Sequence, residues 1–330
     1  MRKLTIALVA ASLTCIATAA QARNIVITND DGLTSNVVAL YDALKKDGHD
    51  VIVSVPCKNQ SGMGAAILIA RPLAPLADAC LNAAAEAGDA GAGSMTRKGM
   101  DADFYYVDGT PVMALVYGLD IVAAQRWGKE PDLVLSGPNE GQNVGAIILS
   151  SGTVSAAQYA AVSGLPAIAL SAGPATEDDE LDGPQSAKVG TLTAQLVSVL
   201  DKRADGGAML PDGFALNVNF PDNLDNPVWR VSRIGTYNAY KMGFVQSMVK
   251  EASPTMAAMA KARGMELPDL PGISFGFNDA KPSPDQMLDE SVVYKTAIAV
   301  SPMQAGYEYR SHPKADWLAG YLKGLTAPAE

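Results

Sequence analysis

Two adjacent carboxylates, Asp30 and Asp31, stand in the segment Asn29-Asp30-Asp31-Gly32, directly after the apolar run Ile25-Val26-Ile27-Thr28. Neighbouring carboxylates repel, and the pKa of one rises unless a cation is present. Three more polar clusters follow along the chain: Asn59-Gln60-Ser61-Gly62, Ser136-Gly137-Pro138-Asn139-Glu140-Gly141-Gln142-Asn143, and Ser150-Ser151-Gly152-Thr153. Asp30 and Asp31 with Ser61 and Asn139 make an all-oxygen donor set, which suits one divalent ion of the magnesium, manganese or calcium type rather than zinc. Only two histidines occur, His49 and His312. A His-rich zinc site is thereby excluded, and a Ser-His-Asp triad has little support. His49, inside a Gly-His-Asp turn, reads as a surface residue. Asp-Asp-Gly alone is also an ordinary turn; the accompanying clusters turn the reading toward chemistry.

Ser151-Gly152-Thr153 opens an Ala-rich helix. Free N–H groups and the helix dipole attract an anion there, and Gly lets it approach. Gly109-Thr110-Pro111 is a similar turn, read equally well as a plain helix start. A divalent cation beside a helix N-terminus fits a phosphate monoester. The metal would polarise a phosphoryl oxygen and lower the pKa of a bound water. Asp30 or Asp31 would orient that water or act as base. An aspartyl nucleophile is the other option, and the sequence leaves both open.

These clusters need elements to carry them. Residues 25–28 and 51–55 read as buried strands flanking a helix over Val37–Lys46, which Gly48 stops. That is a βαβ unit. A helix over Pro111–Arg126, a strand at Leu133–Leu135, a helix over Val154–Val162, a strand at Ala167–Leu170 and a helix over Ser186–Leu200 continue the alternation. The expected fold is α/β, a Rossmann-like doubly wound, mostly parallel sheet with a smaller C-terminal extension. In such sheets the ligand crevice lies outside the carboxyl ends of the strands, so all four clusters are expected on one rim. Ala83–Gly99 reads as a mobile loop or insertion, and Gly173–Pro184, with its acidic Glu177–Glu180 cluster, as a solvated loop. Strand-like pieces at Leu216–Phe220, Trp229–Ile234 and Val292–Val300 fall outside the regular rhythm.

The chain has 330 residues and a formal net charge of -10. Such acidity argues against a nucleic-acid duplex as partner, since phosphate backbones are held by Lys and Arg. Arg2-Lys3, an apolar run to Ala19 and Ala20-Gln21-Ala22 read as a signal peptide over residues 1–22, cleaved near Ala22. The mature chain is then expected in the periplasm or outside the cell, with no membrane anchor. Residues 23–210 form the expected catalytic domain, and 211–330 the C-terminal strands and arm that complete it. Cys57 and Cys80 remain after cleavage. They either pair, as an oxidising compartment permits, or serve as two separate small apolar residues.

The segments IVITNDDG (25–32), NQSG (59–62), DGTP (108–111), PDLVLSGPNEGQNVG (131–145), SGTVSAA (151–157), GLPAIALS (164–171) and LNVNFP (216–221) together resemble the SurE survival-protein family of nucleotidases and acid phosphatases. The likeness covers residues 24–221 well and continues more weakly to Met303. It implies a divalent metal and hydrolysis of nucleoside monophosphates or related phosphate monoesters. It also implies a homodimer or homotetramer joined through C-terminal extensions. The family's metal positions map onto Asp30, Asp31, Ser61 and Asn139. Asn143, Ser151, Gly152 and Thr153 fall in its neighbouring active-site segments and are assigned to phosphate contact. The chain departs from many bacterial members at Thr34-Ser35-Asn36, Ser150 and Tyr159, and Ser-Gly-Pro-Asn looks closer to acid-phosphatase-like members. These departures bear on substrate choice. The alternative function is a non-catalytic periplasmic binding protein for a nucleotide or other anion. A nicotinamide-dependent enzyme is disfavoured, because no Gly-x-Gly-x-x-Gly follows the first strand.

Overall fold

The computed structural model describes residues 22–307 except Asp101 and Arg263. The signal-peptide reading therefore lies almost wholly outside the described residues, as does the end of the C-terminal arm. The first unit is β1 (Asn24–Thr28), α1 (Ser35–Lys46) and β2 (Asp50–Pro56). Thr34 caps α1, its Oγ1 accepting the Val37 N–H at 3.4 Å, and Lys45 and Lys46 face the negative end of the helix dipole. An insertion carries the short β3 (Ala92–Ser94) and leads to β4 (Phe104–Val107). Then come α2 (Pro111–Tyr117), a π-turn, α3 (Ala124–Trp127), β5 (Leu133–Glu140), α4 (Gly152–Val162), β6 (Ala167–Ala172), α5 (Pro184–Ala204) and β7 (Phe214–Asn219). The C-terminal part supplies β8 (Trp229–Val231), β9 (Tyr240–Val245), α6 (Met248–Glu251), α7 (Pro254–Ala262), β10 (Gly272–Phe277), α8 (Glu290–Val293) and β11 (Ile298–Gln304).

Nine strands form one sheet in the order β3-β4-β2-β1-β5-β6-β7-β11-β8. From β4 to β7 every neighbour pair is parallel. Strand order reverses at β1, which pairs β2 on one side and β5 on the other. Thr28, at the carboxyl end of β1, lies opposite Ser136 in the middle of β5. This is the switch point where an open α/β sheet leaves a crevice. The central strands β1, β2, β5 and β6 bury both faces, as their unbroken apolar runs require. One face packs Ile25, Ile27, Val53 and Leu135 under Leu40, Leu44, Val189 and Val197 of α1 and α5. The other packs Val26, Ile52 and Val134 under Leu115, Ala156 and Ala160 of α2 and α4. The switch point and both helical layers thus set the rim with little freedom.

β7, β11 and β8 continue the same sheet, β11 running antiparallel to β7. β9 and β10 stand apart as a two-stranded sheet with Met242, Phe244, Ile273 and Phe277 exposed. Among the described residues no helix is long and apolar enough to cross a membrane.

Two readings need correction and a third is narrowed. His49 is buried, not on the surface: its Nδ1 accepts the Arg23 N–H at 3.2 Å beside the Arg23–Asp201 ion pair, and burial pushes its pKa down. Of the two readings of Ala83–Gly99, the structure agrees with an insertion: Ala84 and Ala85 are buried, and β3 pairs with β4. Val292–Val300 is not one strand. Its first residues end α8, and β11 begins at Ile298. A continuous apolar run does not by itself separate helix from strand.

Cys57 and Cys80 form a disulfide across 23 residues of sequence. It joins the end of β2 to the insertion, where the Leu81 N–H donates to Cys57 O at 2.8 Å and Asn82 Nδ2 to Leu33 O at 2.9 Å. Closing a loop of that length is worth about 3 kcal/mol. The Cys57→Ser/Cys80→Ser double variant is expected to lose roughly that much in urea unfolding. An unchanged midpoint would show that the insertion is held without the bond.

Candidate metal centre and active site

The loop after β1 is closed by one side chain. Asn29 Nδ2 donates to Gly32 O at 2.7 Å, and Asn29 Oδ1 accepts the Gly32 N–H at 3.1 Å. The Gln60 N–H donates to Asp30 O at 2.7 Å, tying this loop to the one after β2. Successive side chains at a strand end diverge, so Asp30 and Asp31 reach different partners.

Asp30 turns to the start of α4. Its Oδ2 accepts the Gly152 N–H at 3.1 Å, and its Oδ1 accepts the Thr153 hydroxyl. The approach requires glycine: a Cβ at Gly152 would lie 2.7 Å from Asp30 Cβ and 2.5 Å from Pro111 Cγ. Ser151 Oγ caps the helix by accepting the Val154 N–H at 3.1 Å. The helix N-terminus therefore does hold an acidic group, and that group is the Asp30 carboxyl. Asp31 turns to the other clusters. Its Oδ1 accepts Asn59 Nδ2 at 2.8 Å and lies 3.5 Å from Ser61 Oγ; its Oδ2 accepts the Glu140 N–H at 3.0 Å.

Asn139 completes the group. Its Nδ2 donates to Gly141 O at 2.5 Å, which turns Oδ1 toward the carboxylates, 3.2 Å from Thr153 Oγ1. One hydroxyl proton thus stands between the Asp30 and Asn139 oxygens and serves only one of them. Asn143 lies one step away. Its Nδ2 donates to Ser171 Oγ at 3.0 Å, and Ser171 sits opposite Asn139 in the β5–β6 register. Gly109-Thr110-Pro111 is a helix cap: Thr110 Oγ1 accepts the Met113 N–H at 3.3 Å and donates to Ala66 O.

The four clusters expected on one rim meet there. Two features lay outside the sequence reading. Asn59, rather than Ser61, makes the short contact to Asp31, although the NQSG cluster contains both. Asn217 and Asn219 of LNVNFP reach beneath the site and donate to Asn143 O at 2.9 and 3.1 Å.

Electrostatics decide what this arrangement can hold. Asp30 and Asp31 are each 3% exposed. Among the described residues no Lys or Arg forms an ion pair with either. Burial pushes the Asp30 carboxyl well above its ordinary range. Burial, then the charge of Asp30, pushes Asp31 up to about 7. A cation among these oxygens reverses that logic, because its charge favours both carboxylates. Among the described residues no three His, Cys, Asp or Glu side chains cluster as ligands. The fit is instead two carboxylates completed by an amide and a hydroxyl oxygen, a hard-cation set.

The sequence profile of the family described as survival protein SurE matches residues 25–241. An acid phosphatase of Yarrowia lipolytica is 35% identical over 210 residues, which are 60% of this chain and 56% of that protein. A 5'-nucleotidase SurE of Lawsonia intracellularis is 34% identical over 201 residues, 60% of this chain and 66% of that protein. The chain thus spans just under two thirds, or less, of these relatives' length. The SurE protein from Aquifex aeolicus superposes with a TM-score of 0.62 at 24% identity, covering 91% of this chain and 99% of that one. That likeness shows the shared fold.

The raised Asp31 pKa has a sign that can be tested in chelator. A carboxyl whose folded pKa lies above its unfolded value favours the folded state below the unfolded pKa, near 3.8, and that contribution is lost as pH rises through about 7. Metal-free protein is expected to lose stability between pH 4 and 7, with up to about 1.4 kcal/mol per pH unit from this group. Asp31→Asn should flatten that slope. Equal slopes for both proteins in EDTA would contradict the electrostatics given above.

Proposed function

Because the chain belongs to the SurE survival-protein family, we propose that it is a metal-dependent phosphomonoester hydrolase acting on nucleoside monophosphates, as a 5'/3'-nucleotidase with acid-phosphatase character. The observation that carries this reading is the meeting of Asp30, Asp31, Asn139 and Thr153, from three separate strand and helix ends, around one buried group of oxygens. Asp30, Asp31, Asn139 and Ser61 would hold a magnesium, manganese or calcium ion. Once bound, the ion supplies polarisation of a phosphoryl oxygen and acidification of a water.

The chain's own groups do the rest. Both oxygens of each carboxylate already accept hydrogen bonds, which fixes their direction and blunts their nucleophilicity. Asp30 and Asp31 therefore suit ligation and the orientation of a water better than direct attack on phosphorus. The helix N–H of Gly152 is spent on Asp30, so phosphate contact falls to groups with a proton still to give. Ser151 Oγ accepts from Val154 and retains its own hydroxyl proton. Asn143 Nδ2 donates one hydrogen to Ser171 and has a second. Both are neutral, which leaves most charge compensation to the cation.

The Cys57–Cys80 bond supports an oxidising location such as the periplasm. The exposed apolar face of the two-stranded β9–β10 sheet supports assembly into a dimer or tetramer.

The test is a panel of nucleoside 5'- and 3'-monophosphates assayed with magnesium, manganese and calcium in turn. Phosphate release is expected to need an added ion, to stop in EDTA, and to fall by at least about 100-fold in Asp30→Asn, as loss of a ligand that is also a positioning group requires. Tight nucleotide binding with no turnover over hours would favour the binding-protein reading. Full activity in chelator would end the metal mechanism.

A further inference from the structure

Glu290 is fully buried at the start of α8, far from the rim in sequence. A buried carboxyl is costly unless its oxygens are satisfied. Here Oε1 accepts the Gly145 N–H at 3.1 Å, and Oε2 accepts Asn217 Nδ2 at 2.9 Å. The Ser301 hydroxyl on β11 also bonds to it, and Ser301 is 2.8 Å from Ser232 Oγ. Despite these donors, burial pushes the carboxyl up to about 7.

Two of the three donors lead to one turn. Asn217 shares its Nδ2 between Glu290 and Asn143 O, at 2.9 Å each. Gly145 lies two residues beyond Asn143. Above its pKa the group only accepts, and Asn217 presents its donor end to it. That choice leaves Asn217 Oδ1 buried with no hydrogen-bond partner among the described residues. The orientation is thus imposed rather than convenient. The turn itself is tightly seated: Gly145 has φ +62°, a Cβ there would meet Asn238 Oδ1 at 2.8 Å, and the Ala146 N–H donates to Asn238 Oδ1 at 2.8 Å. Releasing Glu290 removes the bond to the Gly145 N–H and leaves Asn217 without its second acceptor, so that Asn219 becomes the remaining fixed donor to Asn143 O.

We propose that Glu290 is a positioning residue for phosphate: its carboxylate grips Gly145 N–H and Asn217, and through them fixes the 143–145 turn that presents Asn143 to the substrate. This rests on the nucleotidase reading given above, in which Asn143 contacts phosphate. It predicts a separation of effects. The metal oxygens belong to Asp30, Asp31, Ser61 and Asn139, none of which touches Glu290. Loss of Glu290 should weaken the phosphate side and spare the metal side.

The experiment, run above about pH 8 where the carboxyl is ionised, compares wild type with Glu290→Gln, which keeps the shape but sets an NH2 group where one oxygen accepted from its donors. Folding is checked by circular dichroism. Manganese affinity is measured by calorimetry, KM and kcat with a nucleoside monophosphate, and Ki with inorganic phosphate. KM and the phosphate Ki are expected to rise together by roughly tenfold, the size of one lost charge-assisted hydrogen bond. Manganese affinity is expected within about twofold, with kcat changing less than KM. A folded variant with unchanged KM and Ki overturns the proposal, as does one whose manganese affinity falls as far as its KM rises. Should Glu290→Gln fail to fold, Asn217→Ser, which cuts the link to Asn143 and leaves the carboxylate, must show the same rise; an unchanged KM there overturns it. An inactive wild type would instead strike the nucleotidase reading itself.

Discussion

Two neighbouring carboxylates with almost no exposure to water cannot both carry charge unless something nearby compensates. That constraint shapes the rest of this structure. The fold answers it in part by spending its strongest neutral donors on the pair. The N-terminus of α4 is given to Asp30, and the Glu140 N–H and the Asn59 amide are given to Asp31. These donors lower both pKa values, yet burial still wins and both carboxyls lie high. The balance left over is what a divalent cation would supply. The position of α4, the glycine at its first turn, and the clasped Asn29–Gly32 loop all serve this one group of oxygens.

On the proposed nucleotidase reading, the same accounting makes the phosphate side neutral. Helix termini are good anion sites, but this one is already occupied by a side chain of the protein. Recognition of a second anion must then come from hydroxyl and amide protons and from the cation. The Asn143 turn is suited to that role because it is braced from beneath by Asn217, Asn219 and Glu290. The C-terminal strands that extend the sheet thus also hold a loop of the rim, so the two parts of the chain depend on each other.

Much of this was legible from sequence because it is local. Asp30-Asp31, Asn139 and Ser151-Gly152-Thr153 each follow an apolar strand or open a helix, and the parallel-sheet rule places such ends together. Periodicity also located α1, α4, α5 and the central strands to within a few residues. What escaped depends on long-range contact. His49 is buried beside Arg23, which it meets across 26 residues and which pairs with Asp201 of α5. Glu290 meets Gly145 across 145 residues of chain. β4 is four residues long beside an Ala/Gly-rich insertion and carries little strand signal, whereas β9 (YKMGFV) and β10 (GISFGF) do alternate apolar with small or polar residues, a period-2 pattern outside the sequence reading. Asn59 and Ser61 sit in one short motif, and only the three-dimensional loop decides that the amide makes the closer contact.

The central claim is that Asp30, Asp31 and Asn139 form one cation site. It is tested most directly by titrating the purified protein with Mn2+ and reading free and bound ion by electron paramagnetic resonance. One ion is expected per chain, with its affinity reduced by roughly 10- to 100-fold in Asn139→Ala, because an amide oxygen turned inward by Gly141 is lost. No bound ion at millimolar Mn2+, or equal binding by Asn139→Ala and wild type, would contradict it.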